Sequence, residues 1–187
     1  ILLDQEVIKT YNLDPNEAVV YEGQLILVSE VVKRFIDKIL EHDKKHTPFT
    51  LEGVEQNMEY TFPISAPAGS VLLGGKIDRV DRKEDVLRIV DYKTGRDKLT
   101  FDSIASLFAR EGKRNKAAFQ TLLYAWLYTK TGNTSGMRVI PGLLNSANLF
   151  DDDAEFGLKM AKEKLRDIKS VLPEFEGRLR ELLEELF

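Results

Sequence analysis

Residues 71–95 read VLLGGKIDRVDRKEDVLRIVDYKTG, and the fold turns on this stretch. Two runs rich in Val, Ile and Leu, 71–80 and 86–94, flank the polar tetrapeptide Arg82-Lys83-Glu84-Asp85. Two β-prone runs around a short polar break predict a hairpin. Each predicted strand carries an aspartate: Asp78 follows LLGGKI and Asp91 follows LRIV. Strands disfavour Asp because its short carboxylate competes with the ladder for backbone hydrogen bonds. Alternation places Asp91 and Lys93 on one face, with Val90 and Tyr92 on the other. With about four residues in the turn, Asp78 comes to lie near Asp91.

Two carboxylates held together repel unless one is protonated or a cation sits between them. Mg2+ suits such a place, since it takes hard oxygens and is often held by one or two carboxylates plus substrate phosphate. It also lowers the pKa of a bound water and stabilises a leaving oxygen. Lys93, two residues beyond Asp91, could orient that water or offset negative charge on the phosphoryl group. The plainer reading is a surface hairpin whose Asp–Lys pair contributes little. Spacing alone leaves both readings open.

Three successive segments resemble the motifs of RecB-type nucleases: Gly75-Lys76-Ile77-Asp78-Arg79-Val80-Asp81, Ile89-Val90-Asp91-Tyr92-Lys93-Thr94-Gly95 and Gln120-Thr121-Leu122-Leu123-Tyr124. These nucleases belong to the PD-(D/E)XK superfamily and occur in RecB- and AddB-like helicase–nucleases. The resemblance covers about residues 50–145, and the flanks more loosely. It implies an α/β fold with a restriction-endonuclease-like core, a mixed central sheet flanked by helices. It also implies that Asp78 and Asp91 ligate Mg2+, or Mn2+ in its place, with the backbone carbonyl of Tyr92 as a third protein oxygen. Lys93 completes the implied catalytic set, and Gln120 and Tyr124 would border the site and bind substrate. The family further carries a metal-binding His in an upstream helix and often a cysteine cluster after the last helix. The only histidines here, His42 and His46, sit among Glu41, Asp43, Lys44 and Lys45 and read as solvated, and the chain has no Cys.

The 187 residues, 43% hydrophobic and 31% charged, fit one soluble domain with a sizeable core. No apolar run approaches the roughly 18 residues of a membrane span. Without cysteine there is neither a disulfide framework nor a thiolate metal site in these residues, which fits a cytoplasmic setting. Net charge is −4, an unfavourable sum for a nucleic-acid binder, but its distribution is uneven. From Lys76 to Lys116 twelve Lys or Arg face eight Asp or Glu, so this segment carries the positive charge and the remainder the negative. Such a segment can grip phosphates.

Helices flank the core in the single-domain reading, over 1–49 and 150–187. Residues 1–11 read as a short helix, and Asp14-Pro15-Asn16-Glu17 as the start of another. Val28, Val31, Val32, Phe35, Ile36, Ile39 and Leu40 recur at helical spacing within 25–42. A strand is expected over 51–64, where Glu55 or Glu59 is either an exposed carboxylate or a further metal contact. A short helix is expected over 101–108. Arg110, Lys113, Arg114 and Lys116 then cluster, either as phosphate contacts or as a solvated loop.

The strongest helix signal spans 115–129, where Phe119, Leu122, Leu123, Trp126 and Leu127 form one stripe. Gln120 and Tyr124 are vertical neighbours beside it. Trp126 reads as core rather than as a stacking platform. A strand follows over 137–144. Next comes a helix from the acidic Asp151-Asp152-Asp153, read as an N-terminal cap, to about Val171, and then a last helix after Pro173.

The expected function is a metal-dependent DNA nuclease acting by in-line attack of water on a phosphodiester, as the exonuclease domain of a helicase–nuclease repair system. Its expected partners are DNA and a helicase subunit or domain, with no membrane. The chain opens Ile1-Leu2-Leu3-Asp4 without Met, and the expectation is a piece of a larger protein. The rival reading is a catalytically inactive module of the same fold that binds DNA or a helicase partner. A restriction-type endonuclease is a further alternative.

Overall fold

A four-stranded mixed sheet carries the central hairpin in its middle. The computed structural model describes residues 2–65, 67–110, 114–146, 148–150 and 156–187. The chain divides into two compact units, Ile1–Thr47 and Pro48–Phe187, each described by itself.

The first unit holds helices α1 (Leu2–Tyr11) and α2 (Gln24–His46), linked through a hydrogen bond from the Tyr21 hydroxyl to Asp4. The helix start expected at Asp14 is absent. The Asp14 carboxylate accepts from both the backbone and the side-chain amide of Asn16, closing a local turn. Such a turn competes with the helix that the same residues would cap. α2 begins only after Gly23, whose φ of 53° suits a residue without Cβ.

In the second unit the large sheet runs β1 (Thr50–Pro63), β2 (Ser70–Lys83), β3 (Val86–Lys93) and β5 (Arg138–Asn145) in that spatial order. The first two pairings are antiparallel and β3–β5 is parallel. The parallel pair needs a crossover, and α4 (Lys116–Thr131) supplies it, started by Asn115, whose side chain accepts from the Ala118 N–H. Ala118, Leu122, Ala125, Trp126 and Leu127 are fully buried in the core beneath the sheet, and Trp126 meets Tyr60 and Phe62 edge-on and tilted. Trp126 is therefore core, and its indole N–H donates to Glu176.

The hairpin turn is tighter than expected. Lys83 pairs with Val86, leaving only Glu84 and Asp85 in the loop, with Glu84 at φ 55°. Ile77 and Val80 both reach the core although they are three apart, so the alternation of β2 changes phase between them. The change coincides with Glu55 on β1, which adopts φ 52° between the paired positions Val54–Arg79 and Gln56–Ile77. Glu55 and Asp78 stand one against one outside the paired positions, so no residue is inserted there; the inserted residue of this pair is Glu52, where the register shifts between Leu51 and Gly53.

The expected helix over 101–108 is split into β4 (Thr100–Phe101) and α3 (Ile104–Leu107), the latter capped reciprocally by Ser103 and Ser106. The helix expected up to Val171 is not found over its described part, 156–170. There β6 (Lys159–Met160) and β7 (Glu163–Lys164) form a small sheet with β4. The backbone N–H groups of Lys159 and Ala161 donate to Leu99 and Phe101, and Ala161 and Lys162 both turn left-handed, which closes a hairpin. The Asp151–Asp153 cap lies outside the described residues. A 3₁₀ turn over Ile168–Ser170 leads into α5 (Leu172–Leu186), where Pro173 stands in the first turn, needing no N–H there. Phe175, Leu179 and Leu183 bury its inner stripe. No described helix is long and apolar enough to cross a membrane.

Candidate active site

The two central strands present different chemistry on their two faces. Arg79 pairs with Val90 in the register, and the next position along would set Asp78 opposite Asp91. Asp78 spans the gap at this end of the ladder: its Oδ2 accepts the backbone N–H of Tyr92 at 2.7 Å. Asp91 ends the apolar run of β3 and is only 3% exposed. The surface-hairpin reading fails on that burial, although the Asp–Lys pair it assumed is present.

Lys93 Nζ lies 2.9 Å from Asp91 Oδ2 and donates to Oδ1 at 3.2 Å. It also donates to Gln120 Oε1 at 2.8 Å, and Gln120 Nε2 donates to the Tyr124 hydroxyl at 2.7 Å. Strand and helix are thus joined by one polar chain running Asp91–Lys93–Gln120–Tyr124. The Tyr124 ring sits directly over Gly75, where a Cβ would fall 2.4 Å from Cε1. Gly75 lies in β2 because only a bare backbone admits that ring.

Burial pushes the Asp91 carboxyl above the ordinary value of 3.8. Lys93 pulls it down, while the charges of Asp78 and Asp97 push it up further. Asp91 Oδ2 is buried and accepts no well-aligned hydrogen bond. A buried acceptor left in this state is costly. Two negative oxygen donors around an unsatisfied lone pair are what a hard divalent cation takes, so Asp78 and Asp91 fit such an ion. Among the described residues no group of three or more His, Cys, Asp or Glu side chains is placed to hold a metal.

Glu55 is not gathered into this site: it pairs with Lys76 and is exposed. Glu59 is likewise exposed, opposite Gly74. Arg114 and Lys116 stand apart from the carboxylates, exposed at the start of α4, and line a cleft of about 500 Å³ with Arg96, Asp97, Lys98 and Thr100. Arg110 pairs instead with Glu185, and Lys113 lies outside the described residues.

Sequence reasoning passed over Asp97 and Asn145. Asn145, 2% exposed at the end of β5, donates its side-chain amide to the Asp97 carbonyl. Ser146 adds bonds to the carbonyls of Lys93 and Thr94. The loop after Lys93 is therefore fastened to the end of its parallel neighbour. Ligands of open α/β sheets bind at the carboxyl ends of parallel strands. Arg96-Asp97-Lys98, directly after the Asp-Tyr-Lys-Thr-Gly run, was the available signal.

The opposite face carries a closed cluster. Asp81, with no exposed surface, accepts from Arg79 at 2.9 Å and from Arg88 at 2.5 and 2.7 Å. Arg79 stacks over Phe49, and Arg88 lies over Phe49 and Phe156. Both oxygens of Asp81 are already taken by guanidinium donors, so the cluster is architecture.

The family model described as the PD-(D/E)XK nuclease superfamily matches residues 5–187. No curated protein matches the chain.

Proposed function

We propose that this chain, which belongs to the PD-(D/E)XK nuclease superfamily, is a Mg2+-dependent deoxyribonuclease of RecB/AddB type. In this reading it is the exonuclease domain of a cytoplasmic helicase–nuclease repair assembly, with DNA and a helicase as partners. The observation that carries it is the buried Asp91 carboxylate beside Asp78; Asp91 Oδ2 has the Lys93 ammonium at 2.9 Å but no well-aligned hydrogen bond.

Asp78 and Asp91 would hold the ion, with the Tyr92 carbonyl as a third oxygen. The ion, when bound, acidifies a water and polarises the phosphoryl oxygen. Asp91 binds in its ionised form, so ion and proton compete for the same carboxylate. Lys93, held between Asp91 and Gln120, places its positive charge beside the reacting phosphate and offsets the charge that develops there. Gln120 and Tyr124 fix the ammonium rather than react. Arg114 and Lys116 contact phosphates away from the reacting one.

The test is degradation of labelled linear DNA with Mg2+ against chelator, beside Asp91→Ala. Metal-dependent degradation lost in Asp91→Ala, with DNA binding kept, supports the enzyme. A wild-type chain that binds DNA yet never cuts it would make this a binding module. Covalently closed circular single strands separate the modes of cutting, since an exonuclease leaves them whole.

A further inference from the structure

The cleft behind Asp97 has features that the catalytic set does not use. Its lining includes Arg96, Lys98, Arg114 and Lys116, four exposed cations drawn from two segments, with Asp97 and Asp102 between them. None of the four cations is engaged in an ion pair among the described residues, unlike Arg79, Arg82, Arg88, Arg110 and Arg138. The two walls are tied together: the Asn115 side chain donates to the carbonyls of Lys98 and Thr100 while capping α4. Asn145 holds Asp97 from the other end. Unpaired cations on a braced concave surface await an anion.

We infer that this cleft is a track for the phosphates of a single nucleic-acid strand adjoining the scissile one. The inference rests on the nuclease reading for its direction, because Asp97 belongs to both places: it lines the cleft, and its charge acts on Asp91. At about 500 Å³ the cleft falls in the range that encloses small ligands, roughly 300–1,000 Å³. A nucleotide of a single strand enters such a space, whereas a duplex meets only its rim. Phe101, an aromatic in the lining, is 5% exposed and packed in the core, so among the described lining residues no ring is offered for base stacking. Recognition is therefore of sugar and phosphate, with no base sequence read.

The experiment measures binding of a fluorescein-labelled 20-nucleotide oligo-dT to the full chain in chelator, between 50 and 200 mM salt. Each phosphate contact on a single strand contributes about −0.7 to the slope of log K against log salt. Arg96→Ala/Lys98→Ala therefore reduces the slope by about 1.4 if both side chains meet phosphates, and Arg114→Ala/Lys116→Ala does the same. The charge-keeping pair Arg96→Lys/Lys98→Arg retains the wild-type slope, and unchanged melting of all variants excludes misfolding. A hairpin duplex of equal length binds the wild type more weakly than oligo-dT. Unchanged slopes in both Ala pairs, or tighter binding of the duplex, overturn the track. Mg2+-dependent cleavage is read in parallel: slopes that fall without any cleavage sustain the track and sink the nuclease, while cleavage with unchanged slopes does the reverse.

Discussion

Gly75→Ala is the smallest change that reaches the catalytic ammonium from a distance. The added Cβ would stand 2.4 Å from Tyr124 Cε1 and 3.1 Å from Cδ1. Carbon atoms rest about 3.5–4.0 Å apart, so the ring must retreat by roughly an ångström or β2 must bend. The ring bears the hydroxyl that Gln120 holds at 2.7 Å, and Gln120 in turn holds Lys93 at 2.8 Å. Stretching the first contact by that amount takes it past hydrogen-bonding length. Overpacking of this kind costs about 1–3 kcal/mol, which lowers the urea midpoint by about 1 M at a slope of about 1–3 kcal/mol/M. Misplacing a catalytic group by an ångström costs about 100-fold in rate.

The decisive assay is a double-mutant cycle with Tyr124→Ala, reading both urea midpoint and cleavage rate. Removing the ring removes the clash, so Gly75→Ala should cost little in the Tyr124→Ala background, with a coupling of about 1–3 kcal/mol. Wild-type stability and rate in Gly75→Ala, or costs that merely add, would refute the close packing of ring on backbone.

Three other outcomes follow from the same geometry. Asp81→Ala leaves Arg79 and Arg88 buried without their carboxylate and should cost about 3–5 kcal/mol in urea unfolding; a loss under 1 kcal/mol would count against the cluster. Gln120→Leu frees Lys93 from its helix partner and should lower kcat about tenfold with little change in KM, since the group acts on the reacting phosphate and not on general binding.

The third concerns pH. Because the folded state raises the Asp91 pKa, chiefly by burial, it binds that proton more tightly than the unfolded chain does. The sidechain's contribution therefore favours folding at low pH and is lost as pH rises above 3.8 through the folded value. In chelator at pH 7 Asp91→Asn should melt above wild type, the gap closing towards pH 3. Mg2+ at 100 times its Kd should then stabilise wild type by about 2.7 kcal/mol and the variant by much less. A variant that melts below wild type in chelator would contradict the assigned burial cost.

Local pattern carried most of what positions the site. The β-prone runs around 82–85, the apolar stripe of α4 and the order of helix, three strands, helix and strand all follow from periodicity, and all are present. Failures came where residues of one local preference were claimed by partners far along the chain. Residues 156–170 lost their helix because Leu99, Phe101 and Pro141 take their N–H groups. Asp14 offered a cap and spent its carboxylate on Asn16. The brace from Asn145 to Asp97 joins positions 48 residues apart, and no spacing rule reaches so far.

The motif Gly75-Lys76-Ile77-Asp78-Arg79-Val80-Asp81 shows where such reading ends. It holds two aspartates three apart, and strict alternation puts them on opposite faces without saying which face meets α4. Val80 decides it: it is buried in the core, and Asp78, two residues away on the same face, turns to Tyr92 while Asp81 stays with Arg79 and Arg88 on the other. Asp81 receives two guanidinium groups and has no capacity left for an ion. Asp91 receives one ammonium, keeps an oxygen without a hydrogen bond, and feels two further negative charges. Identical side chains on one hairpin thus divide into structural anchor and cation ligand according to how many donors reach them. Giving Asp91 a second strong donor, as Asp97→Arg would if its guanidinium reached Oδ2, should abolish Mg2+-dependent stabilisation while leaving the fold intact; undiminished stabilisation by Mg2+ would show that Oδ2 is not what the ion uses.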